Sequence, residues 1–197
     1  MTVDSLPARS LSRRRLLRWC WLVMPWAGLA RATTEAATAG QLSERSVKAA
    51  FLYKFLGYTE FPSTAFANAA APLVIGVLGA DEVALELGRI VAGRSVNNRA
   101  IVIRALREGE AGSGVHLLFV GGADSARVQR AVRAAPAGPL LLVSEADNAL
   151  QLGSVINFRI IDDRVRFDVS LEAADRNNVK LSSRLLTVAH QVLKGPP

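Results

Sequence analysis

Three apolar runs that alternate with helix-like segments constrain the fold of this 197-residue chain more than any other feature. Residues 73–79 (LVIGVLG), 116–121 (HLLFVG) and 140–144 (LLLVS) are apolar at successive positions, which is typical of strands buried on both faces. Residues 100–106 add a strand of alternating pattern. Helical segments follow the first two runs, so the sequence predicts an α/β fold with a mostly parallel sheet and helices on both faces.

The last third of the chain predicts an antiparallel hairpin at the edge of that sheet. Residues 155–161 and 165–171 alternate apolar and polar side chains, and Asp162 and Asp163 between them form the turn. In the second run the side chains of Val165, Phe167 and every second residue after them are expected to face the core. The alternate positions are expected to face outward as a charged strand face: Arg164, Arg166, Asp168 and Ser170.

Helices are predicted at both ends of the domain. Residues 47–58 place apolar side chains at helical spacing, with Ser43 as the N-cap and Pro62 as the stop. The final helix is expected to begin at Ser182 or Ser183 and to bury the stripe Leu185, Leu186, Ala189, Val192 and Leu193. A short helix is also expected over residues 146–152.

Residues 1–32 predict a cleaved export signal. A basic segment precedes a short apolar run over residues 19–30, and the small residues Ala30 and Ala32 flank a cleavage site expected after Ala32. The apolar run is too short for a comfortable membrane span, although an uncleaved anchor is the alternative. Arg13 and Arg14 resemble the pair in a twin-arginine signal, with the general secretion route as the alternative.

The positive charge of the chain is concentrated in this signal. The formal net charge is +7, but six of the 24 basic residues and one of the 17 acidic residues lie in residues 1–32. The remainder therefore carries 18 bases and 16 acids, a charge of about +2. That charge is too small for a phosphate-tracking surface, so the sequence predicts no nucleic-acid partner.

The residues after the signal lack recognisable catalytic equipment. They contain two histidines, His116 and His190, and no cysteine, because Cys20 lies in the signal. Residues 76–79 and 121–122 place glycines at strand ends, where α/β proteins bind ligands, but the dinucleotide motif G-x-G-x-x-G is absent. The sequence predicts no catalytic residue, metal site or cofactor. A small-ligand binding module and an enzyme using Asp or Glu chemistry stay open as alternatives.

The order of the motifs resembles the YfiR family of small periplasmic proteins. The two most distinctive stretches are VKAAFLYKFL with YTEFP in residues 47–62 and VKLSSRLL in residues 179–186. Between them lie further matching stretches at residues 77–79, 93–96, 116–120, 141–145, 153–158 and 164–169. This chain departs from the family at Val115, where many members carry a cysteine linked to disulfide-based redox control. Without a cysteine after the signal, we expect no such control in this chain.

The resemblance implies a periplasmic regulator that is not an enzyme. The best-known member binds the periplasmic sensor domain of an inner-membrane diguanylate cyclase and represses it, which lowers cyclic di-GMP and biofilm formation. Histidine kinases occur as alternative membrane partners, an outer-membrane lipoprotein can sequester the repressor, and a homodimer is compatible with the sequence. The alternative function is a small-ligand binding module that reports to such a sensor.

These observations divide the chain into three parts and suggest a binding surface. Residues 1–32 are the expected signal, residues 33–46 a flexible N-terminus of the mature chain, and residues 47–194 a single domain. Since a repressor of this kind acts through a surface, we expect the partner to contact the outward strand face and the turn before the last helix. The candidate interface residues are Arg164, Arg166, Asp168, Ser170 and Lys180, with a plain solvated edge as the alternative.

Overall fold

A computed structural model of the chain describes residues 44–110, 112–135 and 138–195. The expected signal with Arg13, Arg14 and Ala32, and the expected cap Ser43, lie outside the described residues. The helices are α1 over residues 44–57, α2 Asp81–Val91, α3 Ser125–Ala134, α4 Leu171–Arg176 and α5 Ser183–Val188, and a 3-10 turn spans Ser63–Ala65.

Eight of the ten described strands form one sheet. The strands are β1 Thr59–Glu60, β2 Leu73–Leu78, β3 Ser95–Val96, β4 Arg99–Leu106, β5 Leu117–Val120, β6 Leu141–Ser144, β7 Ile156–Ile161, β8 Arg164–Ser170, β9 Lys180–Leu181 and β10 Gln191–Leu193. The order across the sheet is β10-β8-β7-β6-β5-β2-β4-β3, and β1 pairs with β9 in a separate two-stranded sheet. The five neighbouring strands β4, β2, β5, β6 and β7 run parallel, which confirms the predicted mostly parallel α/β fold.

The two faces of the sheet bury different cores, as the apolar runs predict. Alternate residues of β2, β5 and β6 pack under α1, α2 and α4 on one face, and the intervening residues pack under α3 on the other. Phe55 on α1 is fully buried against Phe158 of β7 and Phe167 of β8, at ring-centroid distances of 5.7 and 5.0 Å. Helix α1 thereby fixes the hairpin against the parallel strands.

The predicted hairpin is confirmed, but it does not form the edge of the sheet. Strands β7 and β8 pair antiparallel, and Asp162 and Asp163 in the turn both have positive φ angles, 50° and 56°. Two positive φ angles are what a tight two-residue hairpin turn requires. The edge beyond β8 is occupied by β10, which pairs parallel to it.

The helix predictions for two segments, residues 189–193 and residues 146–152, are wrong. Helix α5 ends at Val188, and Val192 and Leu193 lie in β10, because the chain becomes extended at Ala189 (φ −65°, ψ 145°) and pairs with β8. The segment 146–152 forms turns, and Asn148 there has a φ of 57°, which a right-handed helix does not allow. Both short segments had apolar residues at spacings that fit a helix as well as the structure they adopt.

Candidate functional site

Three arginines lie together on the solvent face of the β7–β8 hairpin. Arg164 and Arg166 are exposed at alternate positions of β8, and the register places Arg159 of β7 directly opposite Arg166. Like charges directly opposite each other in a sheet are destabilising. Arg159, Arg164 and Arg166, here named the hairpin basic face, therefore form a cationic surface that would gain from an anionic partner.

Two of the predicted interface residues are buried, so their expected outward exposure is wrong. Asp168 is 4% exposed, and its carboxylate lies 2.9 Å from Nδ1 of His190 and 3.9 Å from Nε of Arg159. Ser170 is 7% exposed, and its Oγ accepts a hydrogen bond from the Ala173 N–H to cap α4. Both residues are buried because β10 pairs with β8 from Asp168 to Ser170.

The remaining candidate, Lys180, is exposed but lies in the other sheet. It belongs to β9 and pairs with Glu60 of β1. The preceding turn is only partly exposed, since Asn178 faces solvent and Val179 is buried at 2% exposure. The structure therefore brings Arg164 and Arg166 together with Arg159, and leaves Lys180 outside this group.

A polar cluster that the sequence did not predict lies at the carboxyl ends of β5 and β6. The Lys48 ammonium of α1 donates to the carboxylates of Glu44 and Glu145, and Glu145 also accepts from the Gly122 N–H. Burial lowers the pKa of Lys48, but the hydrogen bonds to Glu145 and Glu44 outweigh it and raise the pKa above its usual value. Lys48 thus remains an ammonium that ties α1 to two strand ends.

The glycine turns at the ends of β2 and β5 pack closely against each other. A Cβ added at Gly121 would lie 2.5 Å from the Ala80 Cβ and 3.1 Å from the Gly79 carbonyl oxygen. Arg127 closes the same place by donating to the Gly121 carbonyl at 3.0 Å. The glycines are therefore explained by the close approach of two loops.

An open cleft of about 390 Å³ lies next to this packed junction. Its polar lining includes Lys48, Glu145, Asp147, Asn157 and Arg159. Asn157 is itself buried and hydrogen-bonded within the protein, because it accepts from the Ser144 hydroxyl and donates to the Ala146 carbonyl. The cleft adjoins the hairpin basic face through Arg159.

Both ring nitrogens of His116, at the start of β5, form hydrogen bonds to the backbone of other segments. Its Nδ1 accepts from the Val74 N–H at 3.1 Å, so Nε2 carries the proton and lies 3.1 Å from the Ala65 carbonyl oxygen that accepts it. Phe66 stacks on the imidazole at 4.7 Å between centroids, and the Arg99 guanidinium lies 3.7 Å from the centre of the Phe66 ring. His116 therefore holds the segment after β1 against the sheet.

Acid is expected to weaken the fold through His116. Burial lowers its pKa, the hydrogen bond to Ala65 opposes this, and the charge of Arg99 lowers the pKa further. An unperturbed histidine has a pKa of about 6.5, so as the pH falls His116 is protonated in the unfolded chain before it is protonated in the folded chain. The free energy of unfolding is therefore expected to decrease as the pH falls below about 6.5. Thermal melts of the wild type and of His116→Gln across pH 5–8 should show a shallower slope for the variant. Equal slopes would contradict the assignment.

Two kinds of reactive centre were looked for among the described residues: a histidine paired with a hydroxyl nucleophile, and a cluster of metal ligands. Within residues 44–110, 112–135 and 138–195, neither histidine hydrogen-bonds to a serine or threonine hydroxyl. The same part of the chain has no group of three or more His, Cys, Asp or Glu placed to hold a metal ion. It also has no helix whose length and apolar character would let it cross a membrane.

Most of the chain is similar to a known protein family. A family model described as YfiR/HmsC-like matches residues 45–190. A crystal structure of a conserved domain protein from Vibrio cholerae is similar at 10% identity and a TM-score of 0.46, over 60% of this chain and 54% of that chain. The chain thus spans about half the length of that relative. No curated protein matches.

Proposed function

The chain belongs to the YfiR/HmsC-like family, and from this premise we propose that it represses an inner-membrane diguanylate cyclase by binding the periplasmic sensor domain of that enzyme. Repression lowers cyclic di-GMP and with it biofilm formation. The family match over residues 45–190 is the observation that carries the proposal, because this family is periplasmic and regulatory rather than catalytic. Export by cleavage after Ala32 is part of the same proposal.

The hairpin basic face supports this function as the surface that contacts the sensor. A repressor needs a stable surface and no reacting groups. Arg164 and Arg166 are exposed on a strand whose other face is held by Phe167 in the core, so the cations are presented by a rigid element. Rigid, exposed arginines bind carboxylates bidentately, which favours an acidic region of the sensor domain as the partner.

Reversing the charge of Arg164 and Arg166 is the experiment that tests this surface. The double variant Arg164→Glu/Arg166→Glu should bind the sensor domain at least about tenfold more weakly, as loss of interface arginines costs roughly 1–3 kcal/mol. Its free energy of unfolding should not fall, because the reversal relieves the opposition of Arg166 and Arg159. Titration calorimetry gives the affinity and urea unfolding gives the stability.

Arg133→Glu is the matched control for the double variant. Arg133 is an exposed arginine on α3, away from the hairpin, and its reversal should leave the affinity unchanged. Equal losses in both variants would indicate a general charge effect, and full affinity in the double variant would place the interface elsewhere. Substitution of Asp168 or Ser170 is unsuitable here, because both residues are buried.

A second function is favoured by the cleft beside Arg159. The chain would then be a small-ligand binding module that reports to a membrane sensor such as a histidine kinase. Beside the ion pair of Lys48 and Glu145, the cleft contains the cation Arg159 and the carboxylate Asp147, which suit a zwitterionic ligand. A rise in the melting temperature with such a ligand, lost in Arg159→Ala, would support this function over the first.

A further inference from the structure

The outer edge of β4 has no strand partner beyond Ala100 in the described chain. Strand β3 pairs with Arg99 and Ala100 only, whereas β2 pairs with β4 from Ile101 to Leu106 on the other side. Outside the sheet ladders, no described backbone hydrogen bond reaches residues 101–106. The edge is therefore open over these residues.

The turn before β4 determines which backbone groups point outward from this edge. Residues 97 and 98 have φ angles of 49° and 61°, the conformation of a two-residue turn whose flanking pair, Val96 and Arg99, exchanges hydrogen bonds. The direction of the backbone groups alternates along a strand. The N–H and C=O groups that point outward past the end of β3 are therefore those of Ile101, Ile103 and Ala105.

Helix α2 makes the open edge one wall of a groove of about 620 Å³. Gly88 and Ala92 of α2 line one side of this groove, and Ile101 and Ile103 of β4 line the other. A Cβ added at Gly88 would meet no heavy atom outside its own helix within 4 Å, so the groove is open at this position. An extended chain on the edge would direct every second side chain into the groove.

Arg94 carries the charge of the groove. It is the one charged side chain among the described residues that line the groove, and its guanidinium lies 5.4 Å from the centre of the Tyr53 ring. No ion pair within the described residues includes Arg94. Because β3 runs antiparallel to β4, a strand that continues the line of β3 would end with its carboxyl terminus next to Ser95 and Arg94.

We propose that an extended segment of another protein adds to β4 in the antiparallel direction, with apolar side chains in the groove and a carboxylate at its carboxyl end beside Arg94. An extended polypeptide presents donors and acceptors at the spacing of the outward groups of β4. The guanidinium of Arg94 would bind the carboxylate. A parallel segment would instead bring its amino end to Arg94, where like charges repel.

The hairpin basic face stays free when the groove is occupied. Strands β2, β5 and β6 lie between β4 and β7 in the sheet. The inference is therefore independent of the proposed function. Arg164→Glu/Arg166→Glu should bind the segment within about twofold of the wild type at physiological salt, where distant charges are screened.

Ala105→Pro tests the strand addition. The probe is a synthetic peptide of alternating valine and serine residues, labelled at its amino end and free at its carboxyl end, and fluorescence anisotropy gives its affinity. Ala105 is exposed and directs its N–H outward, so proline removes a hydrogen bond to the peptide and spares the ladder with β2. Ala105→Pro should bind about fivefold more weakly, and Ala105→Ser as the wild type does. Circular dichroism would confirm that each variant is folded.

Arg94→Gln tests the direction of the peptide. Amidation of the peptide's carboxyl end should weaken binding to the wild type about threefold, as loss of an exposed ion pair does. The same amidation should have no effect on binding to Arg94→Gln. An equal effect of amidation on both proteins would overturn the antiparallel direction.

Gly88→Leu tests the groove. The new side chain fills the groove from a helical position with open space, so binding should be at least about tenfold weaker while the fold is kept. Arg89→Leu places the same side chain on an exposed position outside the groove lining and should bind as the wild type does. The proposal would be overturned by a wild type that binds no peptide, by full affinity in Ala105→Pro and Gly88→Leu, or by a second copy of the chain displacing the peptide as the protein concentration rises.

Discussion

Replacing Phe55 with alanine is expected to lower the free energy of unfolding by about 3–5 kcal/mol. The ring is fully buried and contacts the rings of Phe51, Phe158 and Phe167 at centroid distances of 5.8, 5.7 and 5.0 Å. Its removal leaves a cavity between α1 and the hairpin, where the rings of Phe158 and Phe167 belong to strands already fixed in the sheet. Urea unfolding followed by circular dichroism measures the change.

Leu85→Ala is the control for this variant. Leu85 is an apolar residue on a helix, like Phe55, but it is 68% exposed. Its truncation should change the free energy of unfolding by less than about 0.5 kcal/mol. If the two variants were destabilised equally, α1 would not be packed on the hairpin as described.

Replacing Lys48 with methionine is expected to cost about 3 kcal/mol. Breaking a buried ion pair costs roughly 3–5 kcal/mol, and the lower end applies because the side chain of Glu145 is 18% exposed and keeps the Gly122 N–H. The carboxylate of Glu145 would lose its cation while α1 lost its tie to the strand ends. The measurement is again the free energy of unfolding in urea.

Two further variants separate this ion pair from its neighbours. Glu44→Gln removes the more exposed partner, whose side chain is 36% accessible, and should cost less than about 1 kcal/mol. The double variant Lys48→Met/Glu145→Gln should recover part of the loss, because a neutral amide still accepts from Gly122. A loss as large as in Lys48→Met alone would show that the buried carboxylate is not the cause.

The central sheet could be predicted from the sequence because its signal is local. Residues 73–79 and 116–121 are apolar at nearly every position, and a strand covered on both faces buries most of them. The hairpin over β7 and β8 was predicted from alternation for the same reason. In each case the pattern within one segment determines the environment of that segment.

The site could be predicted only in part because its contacts are distant in sequence. Asp168 fits an outward position on β8, but β10 follows more than twenty residues later and buries it. No local pattern pairs Lys48 with Glu145, which is 97 positions away. Arg159 was missed although the hairpin register brings it opposite Arg166, a pairing that the predicted turn at Asp162 and Asp163 could have shown.

The cellular level of cyclic di-GMP after deletion of this gene tests the central claim most directly. The proposal predicts a rise on deletion, restoration by the wild-type gene, and no restoration by Arg164→Glu/Arg166→Glu at normal protein abundance. Arg133→Glu should restore the low level as the wild type does. A level of cyclic di-GMP that is the same with and without the gene would contradict repression of a diguanylate cyclase.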